Sequence, residues 1–139
     1  MLYHRKVQVE FNHCDPAGIV FYPRYFEMTN SVVENFFAEA MGYPFRRMHL
    51  EESTGVPTVR IEAEFQAPSR LGDILDFTLR IDRIGTSSAA LLLRAEGDGQ
   101  QRLQVVLTIV WVGPGGKALP WPQEIREKMT AFKEQSDGS

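Results

Sequence analysis

Residues 13–25, His13-Cys14-Asp15-Pro16-Ala17-Gly18-Ile19-Val20-Phe21-Tyr22-Pro23-Arg24-Tyr25, hold the side chains best placed to do chemistry. The first part is a loop by composition. Asp-Pro favours a turn or extended backbone, and Gly18 opens conformations that other residues avoid. Pro23 fits the first turn of a helix, where its missing N–H is no loss. Asp15 therefore stands on a loop that feeds a helix N-terminus, whose first amides are unpaired and whose dipole is positive. Such an end can hold a carbonyl oxygen that gains negative charge. A carboxylate across the same pocket would attack the carbonyl carbon or activate water. On the residues alone, the competing reading of Asp15 is a turn residue ahead of Pro16.

His13 and Cys14 invite a nucleophile-and-base reading. Adjacent residues on an extended loop point to opposite sides, which is poor geometry for a relay. Cys14 reads instead as a small buried residue. His4 and His49 show no metal-ligand spacing, so we expect no metal site.

The elements that must position Asp15 follow from periodicity. Residues 5–12 alternate, with Val7, Val9 and Phe11 on one face, and predict a strand with one side buried. From Pro23, the apolar residues Tyr25, Phe26, Val32, Val33, Phe36, Phe37 and Ala40 recur with Thr29 at helical steps. Gly42 fits the stop, giving about 17 residues or roughly 25 Å. Residues 43–54 read as an irregular or short helical connection.

Four more strands are predicted: 57–68 with Val59, Ile61, Ala63, Phe65 and Ala67 inward, 74–83, a fourth through Ala89–Ala95, and a fifth through Leu103–Trp111. Gly97-Asp98-Gly99-Gln100 supplies a hairpin turn, and strands joined by short turns are antiparallel. Ala90, Leu92, Val106, Val110 and Val112 lie on the outer face and suggest a subunit contact. Gly113-Pro114-Gly115-Gly116 terminates the sheet. Pro122 opens a short helix over about 122–134, with Ile125, Met129 and Phe132 inward, and 135–139 reads as a frayed tail. One long helix on one antiparallel sheet is an α+β domain.

Composition bounds the rest. The chain has 139 residues, which suits a single domain over 1–139. Lys plus Arg is 15 against 18 Asp plus Glu, without a basic block, so a nucleic-acid partner is not expected. No apolar run approaches a membrane span, and no signal peptide is visible. With one cysteine and no internal disulfide, a cytoplasmic location is the default.

Asp-Pro-Ala-Gly-Ile-Val-Phe-Tyr-Pro-Arg-Tyr closely resembles the active-site loop of the 4-hydroxybenzoyl-CoA thioesterase family. The family pattern, Asp-x-x-Gly-(Ile/Val)-Val-(aromatic)-(His/Tyr)-x-x-Tyr, is met by Asp15, Gly18, Ile19, Val20, Phe21, Tyr22 and Tyr25. Phe65-Gln66-Ala67-Pro68 with Leu71-Gly72-Asp73 resembles the family's junction between second and third strands. Gly85-Thr86-Ser87 resembles its next turn. The resemblance implies the hot-dog fold, an antiparallel sheet of about five strands wrapped around one long helix.

It also implies hydrolysis of an acyl-CoA, an aryl-CoA such as 4-hydroxybenzoyl-CoA among the candidates. Asp15 would be nucleophile or general base, and the Tyr22 backbone N–H would polarise the carbonyl. Gly18 would let the loop run close to substrate. Tyr25, Val56 and Pro57 are expected around the acyl group, and Arg83 and Ser87 at the nucleotide end. No cofactor is implied, since coenzyme A is part of the substrate, and acyl-carrier protein is an alternative thiol. Relatives that place a catalytic glutamate on the long helix make Glu27, Glu34 and Glu39 rivals, against their reading as a solvated helix face. Family members form homodimers, often paired into homotetramers, with sites shared across the dimer interface. A hot-dog hydratase or dehydratase, or a non-catalytic acyl-CoA-binding protein, is the alternative.

Overall fold

Alternating apolar residues become five antiparallel strands in the computed structural model, which describes residues 2–137. The elements run β1 (Tyr3–Gln8), α1 (Pro23–Glu39), β2 (Thr58–Phe65), β3 (Ile74–Ile84), β4 (Ser88–Gly97), β5 (Gln100–Val110) and α2 (Gln123–Asp137). The sheet order is β1-β3-β4-β5-β2. β4 and β5 are joined through Asp98 and Gly99, both at positive φ (51° and 75°), a turn whose twist suits a hairpin. Leu75, Phe77, Leu79 and Ile81 of β3 are buried, with matching residues of β4 and β5 beside them.

α1 has the expected 17 residues and buries Tyr25, Met28, Val32, Val33, Phe36 and Phe37. The chain leaves it through Gly42 at φ 64°, a conformation that costs glycine little. The Phe36 ring meets Tyr3 of β1 at 5.6 Å and Phe132 of α2 at 5.1 Å. Burying each such side chain is worth about 1.5–3 kcal/mol. Residues Arg47–Glu52 form a wide π-type turn that buries Met48. Among the described residues, no helix is long and apolar enough to cross a membrane.

Three expectations are corrected. The first strand ends at Gln8, and Phe11, expected on the buried face, is 83% exposed. Glu10 N–H donates to His13 Nδ1 while His13 N–H donates to the Glu10 carbonyl, folding a tight turn that breaks the alternation. β2 is exposed or half-buried throughout: Val59 is 61%, Ile61 41% and Phe65 50% exposed, although all three were expected inward. Among the described residues it pairs only with β5, and the start of α1 reaches its apolar side only in part, through Tyr22, Tyr25 and Phe26 against Phe65. The last helix runs to Asp137, past the expected 134. Residues 135–137 continue it, the Ser136 hydroxyl donating to the Phe132 carbonyl at 3.1 Å, while residues 138 and 139 of the expected frayed tail lie outside the described residues. On the outer face, Leu92 is buried and Ala90, Val106, Val110 and Val112 are half-buried.

Candidate active site

The loop around Asp15 closes on itself. Cys14 and Val20 pair in antiparallel fashion, Asp15 N–H donates to the Ile19 carbonyl at 3.0 Å, and Gly18 N–H donates to the Asp15 carbonyl at 2.9 Å. Gly18 has φ 80°, the one place in the loop where a side chain would strain the backbone. A Cβ there would meet nothing within 4 Å, so the space over Gly18 is open. Asp15 is half-buried. Its Oδ1 accepts the Ala17 N–H at 2.9 Å, and Oδ2 has no protein partner among the described residues. The carboxylate lines a cavity of about 360 Å³ with Phe11, Cys14, Pro16, Gly18 and Leu71.

The loop runs straight into α1. Tyr22 caps the helix with helical backbone angles, and Tyr25 N–H donates to its carbonyl at 3.1 Å. Among the described residues, no acceptor takes the Tyr22 backbone N–H. The Tyr22 ring is exposed and meets Phe65 edge-on at 5.7 Å. Tyr25 is buried, and its hydroxyl donates to Ser69 Oγ at 2.9 Å. Tyr22 and Tyr25 line a cavity of about 300 Å³ with Val20, Phe65, Gln66, Ala67 and Pro68.

Asp15 and Tyr22 thus stand at the two ends of one short loop but open onto neighbouring cavities of the single chain. Val56 and Pro57 are farther off. They line a cavity of about 660 Å³ with Asn30, Phe45 and His49. A further cavity, lined by Phe26, Asn30, Thr58 and Ile61, lies between Pro57 and Phe65, so an open groove follows the seam of α1 and β2. β2 carries the chain roughly 26 Å from Pro57 to Phe65, against which Tyr22 packs, so the expected acyl group of residues is not assembled within one chain.

Arg83 and Ser87 are not beside Asp15 either. They flank the β3–β4 turn, at the opposite end of the sheet from the Asp15 loop. Arg83 lines an outer-face cavity of about 280 Å³ with Arg60, Glu62 and Thr108. The Ser87 carbonyl accepts the Trp111 N–H at 2.7 Å.

The rival groups are otherwise engaged. Glu27 pairs with Arg24 at 3.0 Å, Glu39 accepts the Tyr3 hydroxyl at 2.6 Å, and Glu34 is exposed on the solvent side of α1. His13 Nδ1 is occupied by Glu10 N–H, and Cys14 Sγ points to the Glu10 carbonyl at 3.6 Å. We therefore expect Cys14→Ser to keep kcat within about twofold of the parent chain; an approximately tenfold loss in a thioester-turnover assay would restore the thiol as a nucleophile.

Two residues of the site are not among the expected site residues, although Phe65 opens the Phe65-Gln66-Ala67-Pro68 segment of the family resemblance. Phe65 touches Tyr22, Tyr25 and Phe26 at 5.7, 5.9 and 6.2 Å. Arg102 is 5% exposed and pairs with Asp73 at 2.8 Å. Its hydrogen bond is the main cause that holds the Asp73 carboxyl below the usual aspartate range. Arg102 alternates with core residues along β5, a position that reads as solvent-facing from sequence, and only its neighbour Asp73 had been marked.

A carboxylate with a free oxygen stands at one end of a closed loop and an unpaired helix-start amide at the other, on an α+β scaffold of this strand order that known proteins share. The family model described as the thioesterase-like superfamily matches residues 9–129, and the chain belongs to that family. It is 33% identical over 69 residues to a 4-hydroxybenzoyl-CoA thioesterase of Pseudomonas sp. (strain CBS-3), a match over 49% of each chain, so the match spans about half the length of that relative. A solved gentisyl-coenzyme A thioesterase superposes with a TM-score of 0.81 at 26% identity, covering 93% of this chain and 99% of that one. A 1,4-dihydroxy-2-naphthoyl-CoA thioesterase from Synechocystis superposes at 0.84 with 19% identity, over 94% and 96% of the two chains, and speaks for the fold alone. The fold is the hot-dog fold.

Proposed function

We propose that this protein hydrolyses acyl-CoA thioesters, with aryl-CoA compounds such as 4-hydroxybenzoyl-CoA as the leading substrate class. The observation that carries this is the pairing of Asp15, with one carboxylate oxygen free, and the unpaired Tyr22 N–H at the two ends of a single closed loop. The names of the relatives support the same class. In this reading the Tyr22 amide and the positive end of α1 hold the thioester oxygen as charge builds on it. One such donor is worth about 2.7–4 kcal/mol. Asp15 either adds to the carbonyl carbon, expelling CoA thiolate and leaving a mixed anhydride that water cleaves, or takes a proton from the attacking water. Gly18 leaves the approach open.

The complete site in this reading belongs to two chains. Antiparallel pairing of β2 with its own copy would set one end of the strand against the other. That carries Val56 and Pro57 of the partner subunit to Tyr22 and Phe65, closing the groove. It also brings the end of the sheet that bears Arg83 and Ser87 of the partner subunit toward the same site, where they would meet the nucleotide portion of CoA. A hydratase would need a histidine with an acidic partner at the site, whereas His13 Nδ1 is taken by the Glu10 N–H and the pair His4 and Asp76, at 3.5 Å, stands on β1 and β3 outside the Asp15 loop.

The test is a panel of aryl, branched and linear acyl-CoA compounds followed with a thiol-detecting reagent. Release of free CoA, fastest with an aryl member, is expected. Failure to release thiol from every member would overturn the proposal, and loss of enoyl absorbance instead would assign a hydratase.

A further inference from the structure

Arg102 owes its direction to a break in the sheet. Between β4 and β5 the pairing steps from Ala95↔Leu103 to Glu96↔Gln101, so Arg102 is the extra residue of a bulge. Bulges re-aim side chains, and this one sends a guanidinium inward at a position that alternation would send outward. Its backbone carbonyl is held on the other side by the N–H groups of Gln66 and Ala67, at 2.9 and 3.3 Å.

The guanidinium gathers the segment between β2 and β3. Nη1 donates to the Pro68 carbonyl and to Ser69 Oγ, both at 3.2 Å, and to Asp73 Oδ2 at 2.8 Å. Nη2 donates to the Gly97 carbonyl at 3.0 Å. Nε is buried without a partner among the described residues. Apolar replacements of buried ion pairs are often neutral or stabilising, so a buried guanidinium with an unmet donor is weak evidence of selection for stability.

The gathered segment is the one on which the Asp15 loop is registered. Val20 N–H donates to the Ser69 carbonyl at 2.9 Å, Ile19 pairs with Arg70, and Leu71 N–H donates to the Gly18 carbonyl at 3.3 Å. Ser69 Oγ also accepts the Tyr25 hydroxyl, at the first turn of α1. One side chain therefore connects to both ends of the loop: to the strand partner of the Asp15 side and to the helix start behind Tyr22.

We propose that Arg102 is a positioning residue for thioester hydrolysis, setting the spacing of the Asp15 carboxylate and the Tyr22 amide through Ser69 and Asp73. This rests on the hydrolase reading above. Arg102→Lys keeps the charge, but a single ammonium does not span the four acceptors that the planar fork reaches. Small displacements of reacting groups are expensive in rate. Arg102→Lys is therefore expected to fold, to lower kcat about tenfold or more, and to leave KM within about twofold. Ser69→Ala should lower kcat in the same way. The double variant should fall short of the product of the two effects, since both act along one chain of contacts. Amide exchange at Val20 and Leu71 should quicken in each variant, a readout that needs no turnover.

A folded Arg102→Lys with parental kcat, or with parental exchange at Val20 and Leu71, would overturn the proposal. Should Arg102→Lys not fold, Ser69→Ala, which deletes one hydroxyl, decides it by the same measures. Asp15→Asn assayed alongside separates the two levels. Full turnover there overturns the hydrolase reading, while an inactive Asp15→Asn beside an unaffected Arg102→Lys overturns only the positioning role.

Discussion

Asp15→Asn is expected to lower kcat by about 10²–10⁴-fold while melting within a few degrees of the parent chain. The substitution is nearly isosteric. An asparagine carbonyl can still accept the Ala17 N–H that Asp15 Oδ1 accepts at 2.9 Å, so the turn keeps its lock. The backbone bonds that close the loop, from Asp15 N–H to Ile19 and from Gly18 N–H to Asp15, do not involve the side chain. What changes is the second oxygen, which faces the cavity with no protein partner among the described residues. An amide nitrogen there neither attacks a carbonyl nor accepts a proton from water. KM should move little, since Asp15 is only one part of the cavity wall. Thiol release measured beside a thermal melt checks both halves; near-parental turnover in a folded variant would remove Asp15 from the mechanism.

The scaffold behind that prediction was largely legible in the sequence. Pro23, the three- and four-residue steps and Gly42 marked α1, because a helix that buries one face repeats apolar residues at its own period. Ile125, Met129 and Phe132 marked α2 in the same way, and all three are buried. What stayed hidden depends on partners distant in sequence. The reciprocal contacts of Glu10 and His13 turn Phe11 outward, and alternation carries no trace of them. Arg102 points inward because of a bulge, which is a property of strand pairing and not of β5 alone. Val56 and Pro57 looked close to Tyr22 because sequence order does not show that they lie beyond opposite ends of β2. The apolar alternation of β2 marked a strand correctly but not its exposure, because alternation does not show that no other described strand flanks its outer edge.

That open edge sets the second large expectation. On the proposed pairing of β2 with its own copy, Ile61→Glu should leave single chains and lower kcat/KM by about tenfold or more. β2 leaves one edge unpaired, with Val59, Ile61 and Phe65 exposed beside it, and an open apolar edge invites another strand. In a two-fold pairing of β2 with itself, the axis passes near the middle of Thr58–Phe65, so the two copies of Ile61 lie close together. The substitution then sets two like charges near the axis of an apolar contact, a large penalty from one codon change. The single chain should still fold, since Ile61 is already 41% exposed in it. On that proposed pairing turnover should fall, because the groove between α1 and β2 would stay open to water and lose Val56 and Pro57 of the partner subunit. Sedimentation velocity gives the mass, circular dichroism the fold, and thiol release the rate. A monomeric Ile61→Glu with undiminished turnover would place the whole site within one chain, and a variant that stays assembled would move the subunit contact away from β2.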